Sequence, residues 1–256
     1  MKANIKSLIS AGVVALGLMG VPHAHASVVI AGTRVIYNAK DTETTIKLTN
    51  EGESPALTQA WIDNGNAQAS PSSIDVPFTV TPPVSRIDPK KAQTLRIIYT
   101  GEPLAQDRES VFWLNVLEIP PKPTADEAGA NKLQMAFRSR IKLFFRPAGL
   151  KSSPDDAPGS ISWRVTQVEG KLGLEARNPS PYHVSFASIE LTGGGKTAKF
   201  EDGGMVGPGE TRTFLLTGDV SQGPGTKVHF NAINDYGGAV SGEAIPGSSA
   251  PQGPSR

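Results

Sequence analysis

The 256-residue chain carries 25 Lys and Arg against 24 Asp and Glu, a formal net charge of +1, and contains no cysteine. Balanced charge removes the general pull towards nucleic acid or anionic lipid, and the missing thiols exclude disulfide, thiolate-metal and cysteine-nucleophile chemistry. A chain of this length holds one large domain or two ordinary ones, stabilised by apolar cores.

The N-terminus has Lys2 and Lys6, an apolar run from Leu8 to Val21, and then Ala24-His25-Ala26. This pattern predicts a secretory signal over residues 1–26, cleaved before Ser27. A membrane anchor is the alternative, but the run is short of the roughly 20 residues that span a bilayer. Cleavage removes two lysines and no acid, which leaves the remainder at a net charge of −1.

From Ser27 to Arg146, short β-branched and aromatic runs alternate with Pro, Gly, Asn and Asp. Thr44 to Thr49 and, in part, Leu95 to Tyr99 follow a period of two, which predicts an all-β sandwich or barrel. Asp107 to Pro121 is an apolar strand ended by two prolines. A second strand, Leu133 to Arg146, places Leu133, Met135, Phe137 and Ile141 on one parity. Alternate residues of a strand share a face, so this row either fills its own core or is offered to another chain. Lys142, inside Ile141 to Arg146, and Arg34, on the first strand, read by themselves as outward-facing cations that must reach solvent or a partner.

The polar, Pro-rich stretch Lys151 to Gly159 marks a domain boundary or a loop just beyond one, dividing residues 27–148 from residues 149–245. Strand patterns resume at Ile161 and recur through Ile233, separated by Gly-rich turns, and predict a second, smaller sandwich. The end, residues 246–256, has a disordered composition.

Catalysis has little to stand on. His183 and His229 lack metal-ligand spacing and read as ordinary strand histidines. No nucleophile elbow or phosphate loop is present, and the paired acids lie in turn-like contexts. Trp61, Trp113 and Trp163 sit in strand contexts that favour core packing. No catalytic residue, cofactor or metal follows from these residues.

The segments Asp107 to Pro121, Leu133 to Pro147 and Pro82 to Pro89, with Asn178 to Phe186 and Ile233 to Gly238, together resemble the periplasmic pilus chaperones of the chaperone/usher pathway, over nearly the whole mature chain and in the family's order. The resemblance implies two immunoglobulin-like β-sandwiches set at an angle with a cleft between them. It implies that Arg34 and Lys142 hold the C-terminal carboxylate of a pilus subunit in that cleft, and that Leu133, Met135, Phe137 and Ile141 are donor-strand contacts that complete the subunit's sandwich. It further implies an interdomain ion network of Glu109, Arg146 and Asp235 and delivery of subunits to an outer-membrane usher; an apolar row left exposed would also allow the free protein to self-associate. The short segment between Pro121 and Leu133 and the absence of cysteine resemble the short-loop branch. Met135 and Phe137 stand where aliphatic residues are expected. A structural or adhesive pilus component is the alternative, and it would show an incomplete sandwich and a detached N-terminal strand.

Overall fold

The structure, a computed structural model, describes residues 27–120 and 135–247. Residues 1–26, Leu133 and residues 248–256, which carry the expected signal segment, one donor position and most of the expected tail, lie outside that range.

The first domain comprises β1 (Val28–Ile30), β2 (Arg34–Asn38), β3 (Thr44–Asn50), β4 (Ala56–Asp63), β5 (Phe78–Thr81), β6 (Val84–Ile87), β7 (Ala92–Tyr99), β8 (Ser110–Ile119) and β9 (Phe137–Arg146). One sheet has the order β1-β3-β7-β5 and the other β2-β9-β8-β4-β6. Alternation explains the packing. Ile46 and Leu48 of β3, Leu95 and Ile97 of β7, and Phe112, Leu114 and Val116 of β8 point inward and close one apolar core. Tyr37, Phe78, Tyr99 and Phe145 gather at its end, with Tyr37 stacked on Phe145 at 6.0 Å. The two adjacent phenylalanines of β9 therefore part company: Phe145 enters this core, whereas Phe144 is buried on the opposite face, 5.5 Å from the His183 ring of the second domain.

A short helix, α1 (Ala157–Ser160), interrupts the Pro-rich stretch between the domains. The second domain contains β10 (Ser162–Val168), β11 (Lys171–Arg177), β12 (Val184–Gly193), β13 (Lys196–Phe200), β14 (Gly204–Val206), β15 (Thr211–Leu215), β16 (Thr217–Gly218), β17 (Lys227–Ile233) and β18 (Ala239–Ala244). Its sheets run β10-β11-β15 and β16-β13-β12-β17-β18, with β14 also paired to β12. A separate core forms around Trp163, Phe186, Phe214 and Phe230. Pro246 and Gly247, which composition assigns to the tail, form a turn in which the Gly247 N–H donates to the Trp163 carbonyl at 2.6 Å.

Two of the three tryptophans depart from the expected core packing. Trp163 is buried, but Trp61 and Trp113 occupy the outer face of the five-stranded sheet, beneath the guanidinium groups of Arg138 and Arg140 at 5.0 and 4.6 Å. Strand parity is the reason: Ile62 and Leu114, their neighbours, take the core positions.

Candidate functional site

The site begins with an unfinished strand pairing. β2 runs parallel to β9, with Arg34 opposite Lys142 and Asn38 opposite Arg146. Because β2 starts at Arg34, the preceding stretch of β9, Phe137 to Ile141, is paired only with β8. Its other edge carries no strand among the described residues. Met135, just before β9, is 46% exposed and Phe137 is 36% exposed. Ile141 differs from the expected donor row in being half-buried against its own domain's core. The same side-chain parity that exposes Phe137 at the open end turns Ile141, Leu143 and Phe145 inward as the sandwich closes over β9.

Arg34 and Lys142, distant in the chain, become cross-strand neighbours at the point where the open edge ends. Each reaches to the second domain. Arg34 Nη1 donates to the Ile233 carbonyl at 2.8 Å, and Lys142 Nζ donates to Ser185 Oγ at 3.2 Å. Together with Thr33, Trp113, Ile233 and Gly237 they line a cleft of about 280 Å3. Gly237 permits the close approach of the two domains: its φ is +83°, and a Cβ there would lie 2.5 Å from Thr33 Oγ1.

Both cations are incompletely compensated. Burial, helped by the charges of Arg34 and Arg212, pulls the Lys142 pKa from 10.5 down to about 8. Burial likewise lowers that of Arg34, although Asp235 and Glu109 oppose the change. The buried Nε of Arg34 has no hydrogen-bond partner among the described residues. A carboxylate in this cleft would satisfy those donors and restore the charge that desolvation disfavours.

Beside the cleft, Arg146 at the end of β9 bridges the domains. Its Nε donates to Glu109 Oε1 at 2.7 Å, while Nη1 and Nη2 donate to the two Asp235 oxygens at 2.6 and 3.0 Å. Burial opposes the Arg146 charge, but Asp235 and Glu109 outweigh it and hold its pKa above the usual arginine range. Glu109 is buried, and its second oxygen accepts from the His183 N–H at 2.8 Å and lies 3.3 Å from His183 Nδ1. His183 is thus a half-buried interdomain contact in the loop just before β12 and not a strand histidine. The loop that carries it is held by Asn178, whose amide nitrogen donates to the Tyr182 and Val206 carbonyls at 2.7 and 3.0 Å. Tyr182 in turn lies under the Arg146 guanidinium at 5.3 Å.

Sequence reading gave no role to Ser185 or His183, and none to Asp63 and Asn115, fully buried polar residues of β4 and β8. Asp63 ends β4 and Asn115 lies within an apolar strand, so neither shows a motif. A polar residue inside an apolar run was the available signal, since such a group is retained in a buried position only with partners.

Residues 27–151 match the family described as the pili and flagellar-assembly chaperone, PapD N-terminal domain, and residues 156–244 match the pili assembly chaperone PapD, C-terminal domain. The chain belongs to the pilus-assembly chaperone family. It is 49% identical to the probable fimbrial chaperone YadV of Escherichia coli K12 over 86% of this chain and 89% of that protein. It is 47% identical to the chaperone protein FimB/FhaD of Bordetella pertussis over 90% of this chain and 93% of that one. The crystal structure of the YadV chaperone superposes with a TM-score of 0.73 at 44% identity, covering 85% of this chain and 98% of that one. The SafB–SafA structure, the Salmonella enterica SafA pilin in complex with the SafB chaperone, matches with a TM-score of 0.71 at 27% identity, covering 87% of this chain and 98% of the other. Membership in a chaperone family separates this chain from the pilus components that were its alternative.

Proposed function

We propose that this chain is a non-catalytic periplasmic chaperone that binds pilus subunits by donating β9 and passes them to an outer-membrane usher. One observation carries the reading: the open edge of β9 terminates at the Arg34–Lys142 pair. A subunit strand running parallel to β9 would continue the line of β2 and bring its terminal carboxylate to the two cations. Backbone pairing along Phe137 to Ile141 supplies affinity. The carboxylate sets the register, because a slip of one residue would turn every side chain to the wrong face. Met135 and Phe137 then enter the client's apolar groove, and full burial of each contributes on the order of 1.5–3 kcal/mol. Leu133 shares their parity in the sequence and is a further donor contact in this reading, whereas Ile141 forms the shoulder of the row, already packed on this domain. The Arg146 network holds the domains on either side of the cleft.

Release follows when a following subunit packs into the groove more favourably than β9 does. A second copy of this chain is a competing occupant of the exposed row when clients are absent. The SafB–SafA complex supports the reading, since a homologue of this fold binds a pilin.

Exchanging Met135 and Phe137 together for aspartate tests it. Both residues are exposed, so the variant keeps the parent's thermal stability, while the soluble yield of subunits co-expressed from the same locus falls to the level seen without chaperone. Undiminished yield would remove the donor row from the mechanism.

A further inference from the structure

We propose that Asp63 is a positioning residue for strand donation, a single buried carboxylate that clamps Arg140 directly and Arg138 through Asn115 across the sheet and so holds the open edge of β9 in place before a subunit arrives. The proposal rests on the strand-donation reading above and concerns how the free protein keeps that edge ready.

The open stretch of β9 has structural reasons to fray. It is bonded on one side only, its exposed Phe137 has little of its own core to rest on, and segments of this kind populate locally open states. A frayed strand would have to be ordered during binding, which weakens and slows capture.

The opposite parity of the same stretch is anchored. Arg140 lies opposite Asn115 of β8, and Asn115 lies opposite Trp61 of β4, so the three strands stand side by side. Asp63, at the end of β4, is fully buried. Arg140 Nε and Nη2 donate to its two oxygens at 2.9 and 2.5 Å. Asn115 Nδ2 and the Gly65 N–H donate to it at 2.7 Å each. Arg138 Nη2 is 3.7 Å from the same carboxylate. Arg138 is held mainly by Asn115 Oδ1, at 2.9 and 2.6 Å, and by the Ala67 carbonyl at 2.6 Å. Each guanidinium also covers a tryptophan face, Arg138 on Trp61 and Arg140 on Trp113.

This arrangement does more than neutralise charge. Buried ion pairs are poor contributors to net stability, and their better-attested role is to specify geometry. Fixing residues 138 and 140 on the outer face forces 137, 139 and 141 to the other one, because side chains alternate strictly along a strand. The clamp therefore aims Phe137 towards the position that an incoming groove would occupy. Arg140 and Trp113 also line the cleft beside Lys142, so the clamp joins the donor edge to the carboxylate anchor.

The test compares the parent with Asp63→Asn and with the double variant Asp63→Asn, Arg140→Gln, which removes the buried carboxylate together with the guanidinium bonded to it and leaves Arg138, which is partly exposed, on Asn115 Oδ1 and the Ala67 carbonyl. Two synthetic peptides serve as probes: a long one of alternating apolar residues with a free C-terminal carboxylate, able to run from Lys142 to Phe137, and a short one with the same terminus that reaches only the cleft. In both variants those amides of residues 137–141 that bond β8 are expected to exchange at least about tenfold faster while β3 and β7 keep their protection. The ratio of long- to short-peptide affinity should fall about tenfold in both variants, a split that reflects the ordering of the strand. Parent-like exchange and an unchanged ratio of long- to short-peptide affinity would overturn the proposal. So would a uniform loss of protection and of both peptides in the double variant, which would make Asp63 a general stabiliser. If Asp63→Asn fails to fold, the double variant decides alone. Should the parent bind the short peptide and not the long one, the strand-donation reading fails, while the exchange measurement still reports on the clamp.

Discussion

Lys142→Ala is expected to abolish retention of co-expressed subunits without harming the free protein. A hydrogen bond to a charged group contributes about 1.5–3 kcal/mol, so losing it weakens binding roughly ten- to a hundredfold. The free protein tolerates the change because the lysine sits there under strain of desolvation, its pKa drawn from 10.5 to about 8. Between those values the unfolded chain binds more protons than the folded one, so stability rises with pH across that window. Lys142→Met should remove this slope and stabilise the protein below about pH 8. Binding carries the opposite dependence. A carboxylate requires the ammonium form, so affinity for a peptide with a free C-terminus stays level below about pH 8 and declines above it. Titration of that peptide against the amidated version across this range reads the effect directly. Arg34→Ala should act in the same direction and additionally remove the bond to the Ile233 carbonyl. If subunits remain as soluble with either alanine variant as with the parent, the anchor is misassigned.

Arg146→Ala is expected to give the largest loss of stability. It strands Glu109, which is buried, and frees Asp235 in the other domain. Removing one partner of a buried pair costs about 3–5 kcal/mol, a large part of the stability of a small domain. Asp235→Asn should cost less, because Asp235 is more exposed than Glu109 and the Arg146–Glu109 pair survives. The two variants separate by readout. Calorimetric unfolding registers the loss in Arg146→Ala, whereas small-angle scattering registers a looser domain arrangement in both. A parent-like melting temperature for Arg146→Ala would show that the network contributes nothing to holding the domains.

The proposed anchor illustrates where reading a sequence stops. Alternation in Thr44 to Thr49 and the apolar run of β8 follow from each residue's own chemistry and mark strands without knowledge of their neighbours. Arg34 and Lys142 are different: each alone is an ordinary strand cation, and only the resemblance to a family joined them. In space the parallel pairing of β2 with β9 makes them adjacent, and no spacing rule spans that separation. Ile141 shows the converse. It shares parity with Phe137, so sequence groups them, but closure of the sandwich buries it partly in its own core.

Local chemistry was therefore enough to specify a cysteine-free, two-sandwich chain with an alternating apolar row, because periodicity, turn residues and composition are properties of short stretches. Which edge stayed open, which tryptophans left the core, and why a buried Asp63 meets two arginines were settled by long-range strand order. Contacts between β4, β8 and β9 arise from packing the whole sheet, and their partners carry no mark of one another in the linear chain.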